Sequence, residues 1–351
     1  MSAIDRALDT LVVRQFAVRP GTVVLITADE ASDRILVDRL SARACEAGAV
    51  ASVLDLPRLP LQGLLADPHI PPDAAAAFGA CDVWFDLTFP YLAGSTPFAR
   101  AMENGRTRYL LLGDVRLDGL ARLYGSVDYD ALFDLQEEAD RMLRDAQGQW
   151  GRITTPLGTD IEFRIGKPAT RKTRQAIGPG AQTVPGSAIF YPEVETVRGT
   201  IALEAAFHDH YERLSRPLLL EIDGRIRRVG PGPCREPMER ALRRAGGGEF
   251  GQVIHLTIGL NPMAADQGQS FIEDIRAVGR NAIGLGLPWW VPGGGENHPD
   301  GIVTRQSLWL AGQPVLADGR PVAGHPLAAL LAAVEASTTH APIQNQEEPH
   351  A

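Results

Sequence analysis

Residues 22–27 read TVVLIT, an uninterrupted run of β-branched and apolar side chains. A run this short and without alternation has the pattern of a strand buried on both faces. The text after it decides what kind of sheet the strand joins. Ile35, Leu36, Leu40 and Ala44 recur at helical spacing, and Gly48 ends that helix. Residues 49–56 form the next strand run, 83–89 (VWFDLTF) the third and Tyr109–Leu112 the fourth. Before the fourth, Ser95-Thr96-Pro97 reads as a helix start, a hydroxyl cap with proline near the first position, and Gly105 closes that helix. Strand and helix alternate, so the first half is predicted to be α/β, an open, mostly parallel sheet covered by helices.

The pattern changes past residue 128. Asp128–Ala146 reads as a long helix leading out of the first domain. Arg152–Thr155 and Asp160–Ile165 look like strands around a Pro-Leu-Gly turn, and Asp223-Gly224 and Asp318-Gly319 are hairpin signals between apolar runs. Met238–Ala245 is a short helix among them. The second half is therefore expected to be an α+β domain rich in antiparallel strands. The expected organisation is an α/β domain at 1–147, an α+β metal-binding domain at 148–335 and a flexible polar tail at 336–351.

Composition narrows the function classes. The chain has 351 residues, 44% apolar and 22% charged, the balance of a folded globular protein. Its net charge is −9, and its densest basic groups, Arg225–Arg228 and Arg243–Arg244, are short enough to be solvated surface. Both observations argue against nucleic-acid binding, which rests on clustered cations. No run has the length of a membrane span, and the N-terminus lacks a signal-peptide core. Cys45, Cys81 and Cys234 are widely spaced and form no C-x-x-C pair, so a reducing, cytoplasmic location is expected. Cys45 and Cys81 stand in apolar text and read as small core residues. No G-x-G-x-x-G follows the first strand. The loop Ala28–Asp33 is acidic where a dinucleotide pyrophosphate needs glycines and amides.

The histidines carry the remaining chemistry. His69 and His325 sit beside proline in loop-like text, and His340 and His350 lie in the tail. His208 and His210 in AAFHDHYERL have the spacing of a metal pair on a strand, but a polar turn between Phe207 and Leu214 is the preferred reading. His255 stands in VIHLTIGLNP (253–262), on a strand that breaks at Asn261-Pro262. His298 and Asp300 stand in GGGENHPDGIV (293–303), where alternation along an extended chain puts both on one side. Together His255, His298 and Asp300 supply two imidazoles and one carboxylate. That is the ligand list of a mononuclear non-haem Fe(II) site with open positions, and it also suits a catalytic Zn²⁺.

Several segments carry a resemblance: VDYDALFDLQEEADRML (127–143), RITTPLGTDIEFRIG (152–166), YPEVETVRGTIALEA (191–205), LLLEIDGRI (218–226), HLTIGLNP (255–262) and HPDGIVTRQSLWLAGQPVL (298–316). In this order, from about residue 19 to about 325, the chain resembles the aminopeptidase T superfamily of metallopeptidases and its relative 2,5-dihydroxypyridine 5,6-dioxygenase. In the aminopeptidase branch a glutamate ligand precedes the G-x-N-P turn by six residues. Here that position holds His255, as in the dioxygenase branch. The aminopeptidases also carry a histidine in an H-I-A-L-G-like strand; here NAIGLG (281–286) places Ala282 there. The H-x-D of both branches is kept as His298 and Asp300. The dioxygenase uses further histidines near its substrate, and the matching stretches here, Phe89–Leu92 and Gln182–Pro185, hold none.

The resemblance thus implies an Fe(II)-dependent, ring-cleaving extradiol-type dioxygenase acting on a small hydroxylated aromatic or N-heterocyclic substrate and O2. It also implies a homodimer. Tyr91 becomes a candidate acid/base or hydrogen-bond partner, or else a cleft-edge aromatic. Glu193 and Glu195 become candidates for orienting a ligand histidine. Trp289 and Trp290 either wall an aromatic pocket or pack a core. Two rival readings remain: an aminopeptidase holding two Zn²⁺ or Co²⁺ ions with Glu193, Glu195, Glu249 or Glu296, and a non-catalytic relative.

Overall fold

The structure is a computed structural model that describes residues 1–168, 173–288, 290, 291, 293–295 and 297–337. In the parallel-sheet half the helices are α1 (Ala3–Leu8), α2 (Arg34–Glu46), α3 (Pro72–Ala80), α4 (Thr96–Glu103), α5 (Leu117–Leu120) and α6 (Tyr129–Asp145). The strands among them are β1 (Val23–Ala28), β2 (Val50–Asp55), β3 (Val83–Asp86) and β4 (Arg108–Leu111). Next come β5 (Trp150–Thr154), β6 (Asp160–Pro168), β7 (Gly180–Gln182), β8 (Ser187–Pro192), β9 (Arg198–Phe207), β10 (Tyr211–Asp223) and β11 (Ile226–Val229). The remainder is α7 (Arg235–Ala245), β12 (Gln252–Gly259), α8 (Phe271–Asp274), β13 (Asn281–Gly286), β14 (Asp300–Val303), β15 (Ser307–Leu310), β16 (Gln313–Ala317), β17 (Arg320–Pro321) and α9 (Pro326–Ser337).

The first sheet is parallel throughout, in the order β2-β1-β3-β4-β7. β1 and β3 are almost wholly buried, as the uninterrupted apolar runs predict. The helix starts follow the local chemistry. Asp33 accepts from the Ile35 and Leu36 amides, Ser95 from Phe98, and Asp128 from Asp130 and Ala131. α2 buries Leu36, Val37, Leu40 and Ala44, whereas Ile35 points outward with 62% of its surface exposed. Ile35 is the second helical residue, on the side that turns away from β1. Cys81 is buried as expected, but Cys45 is exposed, because it lies on the outer face of α2. β3 stops at Asp86, short of the predicted Phe89, because the Asp86 carboxylate draws the chain out of the ladder.

The second sheet is antiparallel, in the order β11-β10-β9-β14-β13-β12-β8-β6-β5-β15-β16-β17. An extra pairing of β6 with β9 (Asp160↔Thr200) closes the strands from β9 round to β6 into a ring. Both Asp-Gly hairpins are present, between β10 and β11 and between β16 and β17. The two halves share elements. β7 leaves the antiparallel half to pair with β4 (Tyr109↔Ala181), and α6 packs Leu132, Leu135 and Leu143 into one core and Tyr129 and Phe133 into the other. The polar tail past Ser337 lies outside the described residues.

Candidate metal centre

Three adjacent strands build the centre. His255 on β12 lies opposite Gly284 on β13, and Gly284 lies opposite Asp300, the first residue of β14. Residue 284 is therefore between the two functional side chains, and its lack of a side chain lets them meet. A Cβ there would lie 2.2 Å from Cδ2 of His255. His298, two residues before Asp300, approaches on the extended chain entering β14. Its Nε2 is 3.2 Å from Nε2 of His255 and 3.3 Å from Oδ2 of Asp300, and Nε2 of His255 is 3.0 Å from Oδ1 of Asp300.

Hydrogen bonding fixes the chemical state of His298. Its Nδ1 faces the carbonyl oxygen of Gly295, which can only accept, so Nδ1 carries the hydrogen. In the neutral ring Nε2 then presents its lone pair to the centre, the arrangement second-shell carbonyls impose on ligand histidines. Burial opposes charge on His298, but Asp300 and the Gly295 carbonyl outweigh it and raise the imidazole above its ordinary value. For Asp300 burial would raise the carboxyl, yet the two imidazoles overrule it and hold it well below the usual carboxylate range. The result is an ionised carboxylate and two imidazole nitrogens crowded in a nearly solvent-free space.

This donor set fits a divalent cation. Ligands about 2.1 Å from one ion in neighbouring coordination positions lie roughly 3.0–3.4 Å apart. The two imidazole nitrogens, 3.2 Å apart, fall in that span, and each lies as near one oxygen of the Asp300 carboxylate, at 3.0 Å to Oδ1 and 3.3 Å to Oδ2. Three donors on one face of an ion leave its opposite side open to further ligands.

The parallel-sheet half supplies the wall. The buried Asp86 carboxylate accepts from Thr27 Oγ1, Thr88 N and Oγ1, Leu92 N and Tyr109 Oη, which shapes the loop carrying Phe89 and Tyr91. Phe89 stacks on Phe207, with ring centres 4.8 Å apart, and Phe207 is the cross-strand neighbour of Asp300 on β9. Tyr91 packs against the same Phe207 ring. Burial, with the Asp300 charge behind it, pushes the Tyr91 hydroxyl far above its ordinary value, so it remains O–H at neutral pH. The buried Gln62 donates to the His298 carbonyl at 3.3 Å and also meets Tyr91.

The structure thus brings His255, His298, Asp300 and Tyr91 together. It does not bring the glutamates. No glutamate joins the described donor cluster. Glu193, 3.7 Å from Arg164, and Glu195 line a surface groove with Lys167 and the 65%-exposed Trp290. Glu249 is exposed, and Trp289 and Glu296 lie outside the described residues. Gly284, Gln62 and Asp86 were missed. The NAIGLG alternation was the one signal that pointed to Gly284; nothing local marks the other two.

A second cluster, His208, Glu212 and Cys234, also gathers three possible ligand atoms. His208 and His210 lie in the tight turn joining β9 to β10, the preferred sequence reading. The backbone N–H of Asp209 donates to Nδ1 of His208, so the hydrogen sits on Nε2, which donates to Glu212 at 2.9 Å.

No protein-family profile matches the sequence, and no curated protein matches it. Solved structures do. The 2,5-dihydroxypyridine dioxygenase from Pseudomonas putida superposes with a TM-score of 0.69 over 93% of this chain and 98% of its own, at 19% identity. Wild-type AmpT from Thermus thermophilus gives 0.64 over 91% of this chain and 99% of its own, at 12% identity. The chain shares its fold with both of these proteins.

Proposed function

We propose that His255, His298 and Asp300 hold one Fe(II) ion and that the protein is an extradiol-type dioxygenase, cleaving a small hydroxylated aromatic or N-heterocyclic ring in aromatic catabolism. The single observation that carries this reading is the mutual approach of two imidazole nitrogens and one carboxylate within 3.3 Å. The ion would supply the electronic link between ring and O2 that the protein's own groups lack. The chain's residues do the rest. Gly295 orients His298, and Asp300 offsets cationic charge. The Phe89–Phe207 stack shields one side from water. Tyr91, held as O–H, is suited to donate a hydrogen bond or proton to a substrate oxygen at its Oη rather than to abstract one. Ala282, buried on β13, offers no ligand where a two-metal cage would need one, which weighs against the hydrolase reading. A homodimer and a cytoplasmic location complete the proposal.

The test is anaerobic reconstitution with Fe(II), then O2 uptake against dihydroxylated benzenes and hydroxypyridines, with aminoacyl-anilides in parallel. One iron per chain and ring-dependent O2 consumption support the reading. Two zinc or cobalt ions per chain with anilide hydrolysis replace it by the aminopeptidase, and no turnover with an intact iron site replaces it by a non-catalytic relative.

A further inference from the structure

The parallel sheet has a second concavity that the reading above does not use. The chain leaves β1 for β2 on one side and returns to β3 on the other, so the sheet reverses its winding between β1 and β3. Outside the carboxyl ends of these strands lies a cavity of about 240 Å³. Crevices at such reversal points are where open α/β sheets bind ligands. The loops after β1, β3 and β4 form its floor, and residues 209–211 and Gln269 of the antiparallel half cover it. Its lining contains none of His255, His298 or Asp300.

Four carboxylates and two guanidinium groups border this cavity, and they differ in what they are free to do. Asp29 accepts from the Ala31, Ser32 and Phe89 amides. Asp33 caps α2 and accepts from Leu117. Asp114 accepts from Ser270, Phe271 and Ile272, and Asp209 pairs with Arg244 at 2.7 Å. All four are committed within the fold. Arg58 and Arg116, by contrast, carry no ion pair or side-chain hydrogen bond among the described residues, although other arginines nearby, Arg34, Arg39 and Arg43, are each paired to an aspartate. The charged side chains of the crevice without a partner among the described residues are therefore the two guanidinium groups, each with a full set of N–H donors.

We propose that this crevice binds a small dianion, a phosphate or a dicarboxylate, between Arg58 and Arg116. The ligand would touch Phe89, which stacks on Phe207 beside the metal centre, but none of the three donors there, so the crevice is a site apart from that centre. The test is calorimetric titration of inorganic phosphate and, separately, succinate into the full chain. A Kd of about 1 mM or tighter for either anion is expected. The Arg58→Ala/Arg116→Ala variant should weaken it at least about tenfold, with thermal unfolding and metal content unchanged because both side chains are exposed. Binding of phosphate alone or succinate alone supports the proposal and names the anion. No heat from either anion up to about 10 mM, or equal binding by wild type and the double variant, overturns it.

Discussion

The two clusters of possible ligands share a histidine beside a carboxylate and differ in chemistry. Each places three possible ligand atoms within 4.8 Å of one another. At His298 the distal nitrogen donates to a carbonyl, which leaves the proximal lone pair aimed at the other two donors. At His208 the distal nitrogen accepts from a backbone amide, which puts the proton on the nitrogen that faces Glu212. The remaining members differ as well. Where the first cluster has a second imidazole, His255, the other has Cys234, whose thiol burial pushes up to about 11, with Glu212 adding to the shift. One cluster gathers two imidazole nitrogens and a carboxylate; the other closes on a single His208–Glu212 hydrogen bond. What the far side of an imidazole touches separates a ligand from a structural side chain more sharply than spacing does.

Substitutions test this contrast. The largest effect is expected from His255→Ala or His298→Ala, each of which should weaken metal binding on the order of 100-fold or more, read by elemental analysis after dialysis. His208→Ala should leave the metal content at the wild-type value, and a loss there would erase the distinction. Gly284→Ala comes next. A Cβ at 2.2 Å from the His255 ring must displace it, so metal should be lost, together with about 1–3 kcal/mol of stability in urea unfolding. Tyr91→Phe should keep the metal and lower turnover by about 100-fold, which separates a proton-donating role from a ligand role. Glu212→Gln should cost about 1 kcal/mol of stability and nothing in metal content.

The smallest expected effect is a pH dependence. Burial lowers the His208 imidazole below its ordinary 6.5 despite Glu212. Below pH 6.5 the unfolded chain binds this proton more readily than the folded one. Stability should therefore decline as pH falls from 6.5, and His208→Gln should flatten that decline in urea titrations between pH 5 and 8.

Local chemistry was readable in the sequence; register was not. Asp33, Ser95 and Asp128 announce their helices because a cap acts within three residues. His298 and Asp300 announce each other because two residues of extended chain put both on one side. Ile35 was misplaced because it sits one position off the buried stripe of Leu36, Leu40 and Ala44, and Cys45 because apolar neighbours in sequence do not say which face of α2 a residue takes. Gly284 gains its meaning only from the pairing of β12, β13 and β14, contacts made across 29 and 16 positions of chain. Gln62 reaches His298 across 236 positions, and no local pattern encodes that. β7 is three residues long and is a strand only because β4 offers it an edge.

That short strand constrains how the molecule can move. Three registered residues, Gly180, Ala181 and Gln182, stitch the chain of one half into the sheet of the other. A clam-like swing of the halves would have to unzip this seam, including the bond that the Gly180 N–H donates to the Thr107 carbonyl. Any such swing is therefore coupled to the loss of strand pairing at the sheet's edge.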